Sequence, residues 1–281
     1  MAEFIPAAKP LIGDEEREAV DRVLRSGMVA QGPEVAAFEE EFGAAMVDGR
    51  ACVAVNSGTS ALHIGLLASG IGAGDEVIVP SFTFAATGNS VALTGAKPVF
   101  ADVDPNTFCL DPASVEASIT ENTKGILPVH LYGLPANLDE IRAIADKHGV
   151  QLFEDCAQAH GAAIGGRPVG GFGTLGSYSF CQDKIMTTGG EGGMIVTDDD
   201  ALFDRIWSFK DHGKDRGLVF QKDPAPGFRW LHAAGPGTNL RMTGPSAALG
   251  RVQLKRLPEW QAARARNALR LAAALADSDV L

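Results

Sequence analysis

The chain has 281 residues, of which 46% are hydrophobic and 21% charged, the balance of a globular protein able to bury a sizeable core. Its 24 Lys and Arg against 35 Asp and Glu give a formal net charge of −11, which argues against broad electrostatic capture of nucleic acid or of an anionic membrane surface. Cys52, Cys109, Cys156 and Cys181 are too scattered for a disulfide framework and form no Cys-x-x-Cys pair, so reduced thiols in a cytoplasm are expected.

The opening MAEFIPAAKP has neither a basic n-region nor an unbroken apolar h-region, which predicts no secretory signal. Ala51 to Gly74 and Val77 to Ala96 are free of Asp, Glu, Lys and Arg, but Gly, Ser, Thr, Asn or Pro interrupts both. They read as buried strand–loop–helix units, because lipid would leave such irregular backbone unsatisfied. ACVAV (51–55) is a predicted strand and SALHIGLLASG the helix after it. EVIVP (76–80) and KPVFADV (97–103) follow as strands with a helix between them. GILPVH (125–130), a helix around Leu138 to His148, VQLFED (150–155), SYSF (177–180) and GMIVTD (193–198) continue the rhythm. Such alternation predicts an α/β fold, a mostly parallel sheet covered by helices on both faces. From Pro245 the chain turns Ala/Leu/Arg-rich with helical period, and Pro258 is expected to interrupt that helix. The sequence stops at SDVL without strands to pack against it, so a C-terminal part is expected to be missing.

Three segments carry candidate chemistry. In NSGTSALH (56–63), Ser57, Gly58, Thr59 and Ser60 stand where a strand hands over to a helix, a junction whose free N–H groups can hold phosphate or simply receive an ordinary N-cap. In LFEDCAQAHGA (152–162), Asp155 ends an apolar strand, where it can pair with a buried cation or cap a turn. In SYSFCQDKIMTTGGEGGMIVTDD (177–199), Lys184 lies in a Ser/Thr/Gly-rich loop between two strands, either as a nucleophilic amine or as a surface lysine. Their order on successive sheet-edge loops matches what a pyridoxal phosphate site needs. Two other motifs carry nothing. GFGTLG (171–176) has a strand after it rather than before it, the reverse of a dinucleotide site. DVDPNTFCLDPA (102–113) has Thr107 where a calcium loop needs Gly and Ala113 where it needs Glu, so it reads as a turn. His63, His130, His148, His160, His212 and His232 show no metal-ligand spacing, and no Gly-x-Ser-x-Gly elbow occurs.

From about Pro6 to Trp260 the chain closely resembles the DegT/StrS-type nucleotide-sugar aminotransferases, pyridoxal-phosphate enzymes of fold type I. The resemblance is carried by SGMVAQGPEVAAFEEEF, NSGTSAL, GDEVIVPSFTFAAT, EDCAQAHGA, the Lys184 segment, KDHGKDR and GTNLRMTGPSAALGRVQLKRL. It implies a large cofactor-binding α/β domain over 1–245 with an N-terminal helical segment, and over 246–281 the helical start of a small C-terminal domain that is otherwise absent. It implies that Lys184 forms the Schiff base, that Asp155 pairs with the pyridinium nitrogen and that Gln158 meets the ring hydroxyl. Ser57, Gly58, Thr59 and Ser179 match phosphate-binding positions, and Phe84 matches the aromatic that covers the ring. Asn239 matches a residue lent to the neighbouring subunit's phosphate, which implies a homodimer; Leu240 stands where an aromatic is common. The implied reaction moves an amino group from an amino acid, usually L-glutamate, to a nucleotide-linked keto sugar in amino-sugar and polysaccharide biosynthesis. The alternatives are a sugar dehydratase on the same scaffold, in which histidine generally replaces the lysine, and a non-catalytic regulatory relative.

Overall fold

The computed structural model describes residues 6, 8–221 and 235–276; the expectations that fall on MAEFI, His232 and SDVL lie outside the described residues. Helices α1 (Asp14–Ser26) and α2 (Pro33–Met46) come first, and their local chemistry is plain. Asp14, Glu15 and Glu16 sit at the positive end of α1, Gly27 ends it with a φ of 73°, and Pro33 opens α2 where a missing N–H costs nothing. The sheet region follows as β1 (Ala51–Val55), α3 (Gly58–Ala68), β2 (Glu76–Pro80), α4 (Ala86–Leu93) and β3 (Lys97–Ala101). It continues through α5 (Pro112–Ser118), β4 (Thr123–Ile126), α6 (Leu138–His148) and β5 (Gln151–Asp155). A short hairpin of β6 (Ala163–Ile164) and β7 (Arg167–Pro168) precedes β8 (Leu175–Ser179), β9 (Gly193–Thr197), α7 (Asp200–Lys210), α8 (Arg216–Val219) and α9 (Gly244–Leu275). Among these helices none is long and apolar enough to cross a membrane.

Seven strands form one sheet in the order β1-β9-β8-β5-β4-β2-β3, parallel except that β9 runs against both its neighbours. Side chains along a strand point alternately to opposite faces. Cys52 and Ala54 therefore join Phe38, Phe42, Tyr178 and Phe180 in a core under α2 and α9, while Val53 and Val55 join Leu62, Leu66 and Phe153 under α3 and α7. A third core packs Ile126, Leu138, Ile141 and Leu152 beneath α5 and α6. Burial on both faces is why these strands read as unbroken apolar runs rather than alternating ones.

Two expectations are corrected. The strand at 125–130 is Thr123–Ile126, beyond which Leu127 to His130 stay attached to the sheet only through isolated hydrogen bonds to Ile78 and Asp155 and the bridge from Val129 to Asp155. Pro258 does not interrupt the last helix, which runs unbroken from Gly244 to Leu275. A proline removes one hydrogen bond from the ladder, and here Leu254 and Leu257 hold the preceding turn in the core while Trp260 packs beyond it.

At the outer edge of the sheet, Val55 of β1 bridges Arg241, and Ala54 is closed by side chains. Glu39 Oε1 accepts from Ala54 N at 2.7 Å, and Lys210 Nζ donates to Ala54 O and to Glu39 Oε1, each at 3.1 Å. Lys210 is fully buried, and Glu39 is the carboxylate it meets. Glu39→Ala is expected to lower stability by about 3 kcal/mol or more, the cost of leaving a buried charge unpaired, with Glu39→Gln milder; urea unfolding midpoints measure both.

Candidate active site

The carboxyl edge of a parallel sheet is where loops from different strands converge. Here β1, β5 and β8 each end in a loop that lines one cleft of about 300 Å³, and the turn from β2 into α4 supplies a fourth wall. Ser57, Gly58, Thr59, Phe84, Asp155, Gln158, Ser179 and Lys184 all line it. The cleft thus gathers the expected site residues of one chain except Ser60 and Asn239.

The wall from β1 is the start of α3. Ser57, in extended conformation, accepts from Ser60 N at 3.1 Å through its hydroxyl, and the first bond of the helix runs from Ala61 N to Ser57 O. The N–H groups of Gly58 and Thr59 precede that bond, so the helix gives them no acceptor and they present partial positive charge. Ser60 is turned inward to this cap, its hydroxyl donating to Asn56 Oδ1 at 2.7 Å. Close approach is built in at two glycines: a Cβ on Gly58 would lie 2.6 Å from Ser179 Cβ, and one on Gly193 would lie 2.4 Å from Ser57 O. The helix start is thereby pressed against β8 and β9.

Asp155 ends β5, 4% exposed, with Oδ2 accepting from the Thr87 hydroxyl at 2.9 Å and Oδ1 from Ala157 N at 3.1 Å. Burial pushes its carboxyl above the ordinary value, and these hydrogen bonds counteract the shift only in part. Its direct partners are neutral donors, so the site leaves a buried carboxylate without an ion-pair partner among the described residues. Gln158 is held by Tyr132 N, which donates to its Oε1 at 2.8 Å, and Tyr132 itself has a φ of 54°. Lys184 Nζ donates to Asp183 Oδ2 at 2.8 Å. Phe84 is 70% exposed, an apolar ring standing in solvent at the cleft mouth.

Beside Asp155, Glu154 points to the other face. Its carboxylate accepts from Gly170 N at 2.7 Å, Phe172 N at 2.6 Å and Gly173 N at 2.8 Å, and meets His130 Nε2 at 3.2 Å. Burial works to raise this carboxyl, but His130 and the backbone donors outweigh it and hold the group below its ordinary value. His130 Nδ1 accepts from Ala136 N at 3.0 Å, so its proton sits on Nε2 and both ring nitrogens are engaged. Cys156 completes a cluster with these two residues, yet their lone pairs are spent on protein donors, which does not suit a metal ion. GFGTLG, dismissed as a dinucleotide motif, wraps its N–H groups around the protein's own carboxylate.

Thr87, Glu154 and His130 escaped the sequence reading. Thr87 follows Phe84 within PSFTFAAT at the spacing of one helical turn, the one signal that pointed to it. Asn239 lies outside this cleft, exposed, its Oδ1 accepting from Arg241 N at 3.4 Å and its backbone bridging Asp211. Arg241 Nη1 donates to Asp211 Oδ1 at 2.6 Å and Lys214 Nζ donates to the same oxygen at 3.0 Å, so KDHGKDR and the Asn-x-Arg segment meet through one carboxylate. Leu240 packs against the core under α3 in place of an aromatic.

Gly58→Ala is expected to weaken folding by about 1–3 kcal/mol through overpacking, and Ser179→Gly in the same chain to recover most of the loss; a double-mutant cycle of unfolding free energies tests the contact. A second expectation concerns pH. Because the folded Asp155 carboxyl titrates above its unfolded value, the native state binds more protons across that window, and stability falls as pH rises through it. Asp155→Asn should therefore be more stable than the parent at pH 7, with the advantage shrinking as pH drops to about 4; an advantage that does not change with pH would show that Asp155 contributes no such linkage.

A model of the DegT/DnrJ/EryC1/StrS aminotransferase family matches residues 10–281. The spore coat polysaccharide biosynthesis protein SpsC of Bacillus subtilis (strain 168) is 42% identical over 261 residues, which are 93% of this chain and 66% of that protein. The erythromycin biosynthesis sensory transduction protein EryC1 of Saccharopolyspora erythraea is 45% identical over 247 residues, 88% of this chain and 64% of that one. The chain thus spans a little under two thirds of the length of these curated relatives. The X-ray structure of the aminotransferase from Psychrobacter cryohalolentis superposes with a TM-score of 0.93 at 50% identity, covering 98% of this chain and 69% of that one. Fold, sheet and sequence agree, and the chain belongs to the DegT/DnrJ/EryC1/StrS aminotransferase family, a family of pyridoxal-phosphate-dependent sugar aminotransferases.

Proposed function

We propose that this chain binds pyridoxal phosphate and moves an amino group from an amino acid, L-glutamate by preference, to a nucleotide-linked keto sugar. One observation carries the reading: a buried carboxylate without a cation, a lysine amine and an open helix N-terminus line the same cleft. The groups suit the cofactor. Gly58 and Thr59 N–H with the hydroxyls of Ser57, Thr59 and Ser179 would hold its phosphate. Asp155 would meet the protonated ring nitrogen, a cation that relieves the cost of its burial. Gln158 would meet the ring hydroxyl, Phe84 would lie over the ring, and Lys184 Nζ would hold the cofactor covalently.

Bound there, pyridoxal phosphate withdraws electrons from the α-carbon of an attached amino acid. The residues supply the rest. Asp155 would keep the ring nitrogen charged, and the Lys184 amine would take a proton from the α-carbon in one half of the exchange and return one in the other. Asp183, exposed at its side, can hold the Lys184 ammonium between turns. The proposal extends to assembly: Asn239, outside its own cleft, would reach the phosphate of a second subunit in a homodimer, and residues 246–281 would begin a small domain that follows residues 1–245. The dehydratase alternative calls for histidine where Lys184 stands.

Borohydride treatment of the protein loaded with pyridoxal phosphate is expected to fix the cofactor on Lys184, located by peptide mass mapping. Lys184→Ala should abolish turnover and Asp155→Ala should lower it at least about 100-fold. An adduct on another lysine, or near-normal rates in the Asp155 variant, would overturn the assignment.

A further inference from the structure

Asp155 is reached by a line of two hydroxyls. Thr87 Oγ1 donates to its Oδ2 at 2.9 Å, and Thr83 Oγ1 stands 3.0 Å from Thr87 Oγ1. A hydroxyl carries a single proton, so while Asp155 is ionised Thr87 spends its own on the carboxylate and can only accept from Thr83. The charge on Asp155 thus fixes the sense of the whole line, Thr83 to Thr87 to Asp155.

A threonine in a helix commonly turns its hydroxyl to a carbonyl three or four residues back on the same helix. Thr87, 1% exposed and in the first turn of α4, turns it instead to a strand end 68 residues away in sequence. Its backbone is held on both sides: its N–H donates to Phe84 O at 3.1 Å, and Ser90 Oγ donates to its carbonyl at 2.8 Å. The donor is therefore aimed by the same turn that carries Phe84, and Thr83, Phe84 and Thr87 all line the main cleft.

Among the described residues, Thr87 gives Asp155 its only side-chain hydrogen bond. Burial raises the Asp155 carboxyl, and against it work the Ala157 N–H, the Thr87 hydroxyl and then His130 and Lys184, from the loops after β4 and β8. The α4 segment contains no titratable residue, Glu154 on the same strand points to the opposite face, and Cys156 beside it is buried with its thiol pushed well up.

We propose that Thr87, oriented by Thr83, is a positioning residue that keeps Asp155 ionised against the ring nitrogen of pyridoxal phosphate, so that the proton they share stays on nitrogen. The inference rests on the aminotransferase reading and adds to it a residue outside the expected site. Thr87 acts through Asp155 and takes no part in bond making. Valine at this position keeps the branched shape and removes the donor, which makes the carboxylate more basic and draws the shared proton toward oxygen.

Carboxyl-carbon NMR of the 281-residue chain with isotopically labelled aspartate, before pyridoxal phosphate is added, follows the Asp155 titration, identified by its loss in Asp155→Asn. Thr87→Val is expected to raise the midpoint by about one pH unit or more, about a tenfold gain in proton affinity. Thr87→Ser should stay close to the parent, and Ser90→Ala, which removes a bond from the same turn outside the line, should have no effect. After loading with ring-nitrogen-labelled pyridoxal phosphate, the nitrogen resonance is expected at the pyridinium position in the parent and in Thr87→Ser, and displaced toward neutral pyridine in Thr87→Val. Thr83→Val, at a half-buried position, should move both signals the same way by less, and it decides the question if Thr87→Val does not fold. Signals that stay at the parent's positions in these valine variants would overturn the proposal. An adduct on Lys184 together with a Thr87-independent midpoint defeats this inference alone; a Thr87-dependent midpoint without any Lys184 adduct defeats the aminotransferase reading and leaves the hold of Thr87 on Asp155 standing.

Discussion

Two adjacent carboxylates at the end of β5 govern the rest of the molecule. Strand geometry sends Glu154 and Asp155 to opposite faces of the sheet. Glu154 collects three backbone N–H groups and His130, and in doing so anchors the 170–173 loop ahead of β8. Asp155 receives a hydroxyl and one N–H and stays short of a counter-charge. The same burial thus yields one carboxyl held below its ordinary value and one raised above it. The satisfied group fixes the strand end, and the unsatisfied one can be spent on a ligand.

Much of this was legible in the amino-acid sequence because the sheet is buried on both faces. ACVAV, EVIVP and VQLFED have too little polar alternation for half-exposed strands and are too short for helices, and each contains a strand, the last beginning one residue later at Gln151. The loop that carries Lys184 could be read from its place between two such strands, and the helix N-terminus from NSGTS after β1. What stayed hidden depended on contacts between distant segments. Glu154 looks like any polar residue near a strand end until the loop at 170–173 closes over it. Glu39 sits in an acidic run of α2 that reads as a solvated helix face, and Lys210 begins a charged loop; nothing local says that they meet at Ala54. Pro258 misled because proline is a local helix signal, whereas α9 is held by what Leu254, Leu257 and Trp260 bury.

Specificity in the cleft is shaped by what cannot be added as much as by what is present. The Gly58–Ser179 approach leaves the helix start no room to retreat from whatever binds at it. Tyr132, with positive φ, delivers its N–H to Gln158 and so orients an amide that could otherwise rotate. Each polar group in the cleft that is fixed in advance lowers the ordering cost of binding.

The sealed edge at β1 also bears on the order in which the molecule assembles. β1 pairs as a strand with β9, Ala51 against Thr197, and its outer edge is closed by Glu39 and Lys210 at Ala54 and by the bridge from Val55 to Arg241. A nascent chain that has just made β1 and α3 therefore carries an apolar strand with no neighbour on either side until most of the sequence has been synthesised. Contacts this far apart in sequence make for slow folding and a long exposure to aggregation. The first segment of the helix-start cradle to be translated is thus among the last to be locked in place.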